Sequence, residues 1–225
     1  NKFTLTLYPY IFLLFSMFFF ISVAFLPSSN LKKGEKFNLN ITNFFKKKKY
    51  FIIIVFCSLL QSSHSNYYTF STLIWNNNGL NLLKISYLWT WAVVIEIILF
   101  YLINKINIKH HLINLLYVCA TLSFIRWFIT PLTFNFYHLF ALQSIHAISF
   151  GLTHYIMMYY IYNFIPLKQK LMAQLFYFSF TGLFTTFLTV LSGQVYFYFS
   201  SKWSYWLMSL ICIICVVILN FVKNV

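Results

Sequence analysis

Acidic residues are almost missing from this chain: Glu35 and Glu96 stand alone among 225 residues, against sixteen cations. Charge of either sign is scarce, at 8% of residues, where a soluble domain carries roughly 25%. Eighteen charges cannot cover a water-soluble globule of this length, so that class is excluded. With a single carboxylate inside an apolar run, no paired acid–base site can be built from acids. No G-x-S-x-G, phosphate-binding loop or H-E-x-x-H string occurs, and an enzyme is not expected. Cys57, Cys119, Cys212 and Cys215 all fall in apolar runs. The last two have C-x-x-C spacing, but no second pair or nearby His completes a metal site, so they read as small buried apolar side chains. Neither metal nor cofactor is expected.

What is present is apolar. Hydrophobic residues make up 61% of the chain and aromatic residues 23%, with mean hydropathy +0.77. They come in runs of about 20, the length of helix that crosses a bilayer core of roughly 30 Å. The composition predicts an all-α integral membrane protein solvated by lipid. Seven transmembrane spans can be drawn: Leu5–Leu26, Phe51–Trp75, Ile85–Ile103, Leu112–Thr130, Leu139–Ile165, Leu171–Tyr198 and Trp203–Val222. Pro27, Pro131 and Pro166 fall at span ends, where a missing N–H costs little.

The cations lie in the gaps between spans, which argues for topological anchoring and against nucleic-acid binding. The longest gap, Ser28–Tyr50, holds seven lysines, including Lys46 to Lys49 in a row. With that loop cytoplasmic, twelve lysines fall on the cytoplasmic side and three, Lys2, Lys84 and Lys202, on the other. The positive-inside rule then predicts an inner-membrane protein with its N-terminus outside and its C-terminus cytoplasmic. The Lys46–Lys49 run also has the character of an anionic-lipid contact, although anchoring alone accounts for it. One span, a long basic loop and six more spans is the pattern expected of a twelve-helix carrier from its sixth helix onward. The chain therefore divides into helix 6 (1–27), a central basic loop (28–50) and a six-helix half (51–225). It begins Asn1-Lys2-Phe3 without a methionine, and the missing N-terminal helices are expected as its structural partners.

Three spans carry polar residues at helical spacing. Gln61, His64, Ser65, Tyr68 and Thr72 lie within roughly 100° of one another on the second span. The same holds for Gln143, His146 and His154 on the fifth, and for Gln174, Tyr177, Thr181, Thr185 and Ser192 on the sixth. A polar group facing lipid is costly, so each stripe must face other helices or a hydrated path. The expectation is a cavity lined by spans two, three, five and six, with the unstriped last span as peripheral scaffold. Glu96 and Arg126 are the intramembrane acid and guanidinium, and such groups usually mark function. They sit on consecutive antiparallel spans, offset by about six residues, or roughly 9 Å of helix rise, so they pair directly only if the offset is bridged.

Gln61-Ser62-Ser63-His64-Ser65-Asn66-Tyr67-Tyr68, Trp91 through Phe100 around Glu96, and Ile125-Arg126-Trp127 resemble helices 7, 8 and 9 of the phenylpropionate-permease branch of the major facilitator superfamily. Gln143-Ser144-Ile145-His146-Ala147 and Phe150-Gly151-Leu152-Thr153-His154 resemble its helix 10, and Leu191-Ser192-Gly193 the end of helix 11. The resemblance spans about Phe51 to Phe197. It implies two rocking halves, a central cavity and proton coupling. The related lactose-permease branch has a carboxylate on helix 8, an Arg on helix 9 and an H-x-x-E on helix 10. Here Glu96, Arg126 and His146 match, and Ser149 takes the place of the second acid. The resemblance implies proton-coupled uptake of a small organic solute, a carboxylic acid or a sugar-like compound. Glu96 and His146 would handle the proton, and Arg126, His64, Tyr68, Gln143, His154 and Gln174 would bind substrate. A seven-helix receptor or a non-transporting membrane scaffold is the alternative, although no D-R-Y or N-P-x-x-Y string occurs.

Overall fold

The computed structural model describes residues 10, 13–18, 20–22, 25, 47–105 and 108–223. The chain divides into two compact units, 1–38 and 39–225. In the first, the described positions 13–18 and 20–22 are helical. The remainder of the expected first span, with Pro27 and most of the basic loop, lies outside the described residues. Of that loop, residues 48–50 already belong to a helix.

Among its described residues the regular structure of the second unit is helical, with helices α1 Lys48–Ser62, α2 Ser65–Asn77, α3 Leu82–Leu102, α4 Ile108–Ile129, α5 Phe136–Ser144, α6 Thr153–Phe164, α7 Leu167–Tyr198 and α8 Ser201–Lys223. A π-helix, Ala147–Leu152, separates α5 from α6. Local chemistry sets the boundaries. Asn81 caps α3 by accepting from the Lys84 backbone N–H at 2.8 Å, and Asn135 caps α5 through Tyr137 N–H at 2.9 Å. Gly79 closes the turn between α2 and α3 at φ +92°, a conformation that favours glycine. Pro131 lies in the short 3-10 turn that ends α4, and Pro166 precedes α7.

Four helical segments are long and apolar enough to cross a membrane: Leu82–Leu102, Ile108–Leu132, Leu167–Tyr198 and Ser201–Phe221. Two of the expected spans are instead interrupted. Phe51–Trp75 breaks at Ser63-His64 into pieces of 15 and 13 residues, and Leu139–Ile165 into pieces of 9, 6 and 12. The first break follows from its serines. Ser62 Oγ donates to Ser58 O at 2.7 Å and Ser63 Oγ to Leu60 O at 2.7 Å, competing with the helix's own N–H groups for carbonyls. Ser63 and His64 keep right-handed backbone angles, so the chain kinks rather than reverses.

α1 packs against α7 and α8, α8 against α4, and α3 against α5 and the π-helix. The outward faces of α3 and α7 expose Leu82, Ile97, Leu183, Phe187 and Val190, a surface suited to lipid. α8 departs from the peripheral role expected of it. It packs on four helices and buries Tyr205, Met208, Cys212, Cys215 and Leu219 completely. A stripe without polar residues marks a close-packed face here, not an outer one. On α7's polar stripe, Thr185 Oγ1 donates to Ser62 Oγ of α1 at 3.1 Å, Thr181 and Ser192 hydroxyls bond carbonyls of α7 itself, and α1's Ser58 and Ser62 donate to the backbone carbonyls of Tyr177 and Thr181, each at 3.1 Å.

Candidate functional site

The two helix interruptions and the end of α4 meet around Arg126. This guanidinium is 1% exposed and lies in the last turn of α4, where the partial negative charge of the helix end favours a cation. Its Nη2 donates to Gln143 Oε1 at 2.7 Å, and its Nη1 to His146 Nδ1 at 2.9 Å and Ser149 Oγ at 3.2 Å. The Tyr67 ring centroid lies 4.7 Å from the guanidinium carbon and that of Trp127 4.4 Å, within cation–π range. Glu96, the one acid among the described residues, forms no ion pair with it. Arg126 is thus a buried cation held by neutral acceptors, aromatic faces and a helix dipole.

Donor logic assigns the protons. A guanidinium only donates, so His146 Nδ1 must accept, and His146 is the neutral tautomer protonated on Nε2. His64 Nδ1 lies 3.2 Å from Gln61 O, which only accepts, so His64 carries its proton there and leaves Nε2 as an acceptor. Ser149 Oγ accepts from Arg126 and has one proton to give, for which His64 Nε2 at 3.1 Å and His146 O at 3.3 Å compete. Arg126, Ser149, His64 and Gln61 O are thus connected by hydrogen bonds, with the Ser149 proton shared between His64 and His146 O. Gln61 Nε2 donates in turn to Phe150 O at 3.0 Å, tying the α1 kink to the π-helix.

Aromatic rings enclose this network. Tyr67 lies 4.4 Å from Trp89 and 5.8 Å from Trp127 between ring centroids, and Phe150 stacks on His146 at 5.2 Å. Trp127 Nε1 donates to Ser63 Oγ at 3.1 Å. Tyr67 OH, Gln61 Oε1 and both amide atoms of Asn66 are buried without a hydrogen-bond partner among the described residues.

Among the residues singled out from the sequence, Arg126, Gln143, His146 and His64 form this cluster, and Tyr68 joins its edge, 6.1 Å from His64 and 6.2 Å from His146 between ring centroids. Glu96 stands half-buried on α3, against the π-helix at Gly151; a Cβ there would lie 3.0 Å from Glu96 Cγ and 3.1 Å from Oε1. It approaches the same six-residue π segment that Arg126 grips at Ser149, so the two are linked through backbone rather than paired. His154 does not join: its Nδ1 sits 3.2 Å from Tyr177 OH on α7. Gln174 is half-buried on α7, outside the hydrogen bonds around Arg126. Sequence periodicity missed Tyr67, Trp127, Ser63 and Trp89. A Ser-Ser-His-Ser string inside an apolar run is the available clue that the helix breaks there and turns new residues inward. Among the described residues no three His, Cys, Asp or Glu side chains converge as a metal site would require.

Over 103 residues, 46% of its length, the chain is 34% identical to the "Probable 3-phenylpropionic acid transporter" of Escherichia coli (strain K12). The aligned stretch spans about a quarter of that protein, 27% of its length. Residues 1–207 match the MFS_1 like family, and the chain therefore belongs to that family, as a phenylpropionate-permease-like member of the major facilitator superfamily.

Proposed function

We propose that this chain forms the C-terminal part of a secondary active carrier that takes up a small organic carboxylate together with protons. The observation that carries the reading is Arg126, a buried guanidinium with no carboxylate paired to it. Burying a cation without a counter-ion is costly, and such a site favours an anion that arrives and leaves. The unpartnered Tyr67 OH, Gln61 Oε1 and Asn66 amide supply polar groups for the same visitor, and the rings of Tyr67, Tyr68 and Trp89 supply an apolar wall. That combination suits a carboxylate on an aromatic or other apolar body, in line with what the E. coli relative's name says of that protein.

Proton coupling has a local basis. A proton on His146 Nδ1 and the hydrogen bond from Arg126 exclude each other, since both require the same lone pair. Protonating His146 therefore frees Arg126 to engage an anion, and losing the anion returns Arg126 to His146. Glu96, on the other side of the π segment, is the carboxylate that exchanges protons as the two halves rock. The missing half would complete the cavity wall. Family membership speaks against the receptor alternative.

The reading is tested in proteoliposomes of the complete carrier. Adding 3-phenylpropionate outside should alkalinise the external medium as substrate enters, and no such proton movement would refute symport. The proposed topology is an inner-membrane one, with the N-terminus outside and the Ser28–Tyr50 loop cytoplasmic. A single cysteine placed in that loop should resist impermeant maleimide in intact cells and react in inside-out vesicles; labelling in intact cells would reverse the orientation.

A further inference from the structure

The starts of α1 and α4 and the end of α6 line an open cavity of about 360 Å³, at the opposite end of α4 from Arg126. Its apolar part is formed by Ile53, Leu112, Ile113 and Tyr160, and its lysines are Lys49 and Lys109. Ile53 is fully buried and Leu112 is 7% exposed, whereas both lysines are exposed. The cavity is therefore amphipathic, apolar in its depth and cationic at its mouth.

The lysines stand where helix electrostatics disfavours them. Lys48 and Lys49 open α1, Lys47 precedes it, and Lys109 is the second residue of α4. The N-terminal end of a helix carries partial positive charge and is stabilised by anions, yet neither first turn contains an acid. The chain cannot supply enough of them. Glu96 is held against Gly151, and Glu35, which lies outside the described residues, is a single charge beside four lysines. Two helix ends and these four cations thus form a positive focus that no acid among the described residues balances.

We propose that this cavity binds an anionic phospholipid, its phosphate between Lys49 and Lys109 and part of an acyl chain against Ile53, Leu112 and Ile113. Ammonium groups suit a phosphodiester as point charges on flexible stems, and basic pockets between membrane helices are recognised sites for anionic headgroups. The apolar depth selects lipid over free phosphate. A bound headgroup would bridge helices far apart in sequence and offset the repulsion at their ends.

The test uses the full chain in nanodiscs of phosphatidylcholine with one-fifth phosphatidylglycerol, as a chosen ratio of about 4:1, released for native mass spectrometry. The chain should retain phosphatidylglycerol several-fold over phosphatidylcholine. Lys49→Gln with Lys109→Gln should erase that preference, while Lys84→Gln with Lys202→Gln should preserve it. Ile113→Trp fills the cavity, leaves the charges intact, and should also abolish retention. This second variant decides the matter if the lysine variant fails to fold. Glycerol phosphate, the headgroup without chains, should not displace the lipid. Equal retention of both lipids, undiminished preference in either cavity variant, or displacement by glycerol phosphate would each overturn the proposal, the last in favour of a soluble phosphate ligand.

Discussion

Arg126→Ala in the complete carrier is expected to weaken carboxylate binding by about 30-fold or more, while Arg126→Lys recovers only a small part of the loss. Truncating one member of a buried, hydrogen-bonded charge pair costs about 2–5 kcal/mol, and each 1.4 kcal/mol is tenfold. The lysine variant separates charge from geometry. Arg126 holds Gln143, His146 and Ser149 at once through two planar nitrogens, at 2.7, 2.9 and 3.2 Å. An ammonium on a flexible stem keeps the charge but not the fork. Quenching of tryptophan emission by bound substrate gives the readout, because Trp127 and Trp89 adjoin the site. The fold should tolerate the change better than the site does, since removing an unpaired buried cation also removes its desolvation cost. Unchanged affinity in Arg126→Ala would make the guanidinium a structural tether for the π-helix.

Much of this site is legible in the sequence because ionisable groups are so few. In an apolar chain the positions of Glu96, Arg126, His64 and His146 are constrained by lipid, and helical spacing brings most of them inward. The spacing fails where the helix is not regular. Gln143, His146 and His154 share a face on an unbroken α-helix, but the π-helix at Ala147–Leu152 has more residues per turn and rotates everything after it. His154 consequently meets Tyr177 instead of Arg126. The kink at Ser63-His64 acts likewise, admitting Tyr67 to the cluster while Ser65 turns to Met208 Sδ at 3.4 Å. α7's stripe obeys the period and yet serves α1, because periodicity says which residues share a face and not what that face meets. The interruptions that defeated the periodic reading are also the places where the site is built, as in transporters with discontinuous helices.

Glu96→Gln should abolish proton-driven accumulation of substrate while sparing exchange down the substrate's own gradient. Glutamine keeps the shape and most of the hydrogen bonding of a protonated glutamate but releases no proton, so the step that couples proton affinity to the open side is lost. Gly151 offers a gentler version of the same experiment. A methyl group there would crowd Glu96 Cγ and Oε1, which belong to a flexible side chain that can swing aside, so Gly151→Ala should leave thermal stability almost unchanged. It should nevertheless shift the infrared carboxyl band of Glu96 and reduce accumulation several-fold, because the carboxyl group is moved from the π segment that Arg126 holds at Ser149. Exchange should persist in both variants, which distinguishes a coupling defect from a broken cavity. If Glu96→Gln still concentrates substrate against its gradient, the proton travels by another group, and the competition between Arg126 and a proton for His146 Nδ1 becomes the coupling step by itself. In that event His146→Gln, which accepts from Arg126 through its amide oxygen but titrates no proton, should show the exchange-only behaviour expected of Glu96→Gln.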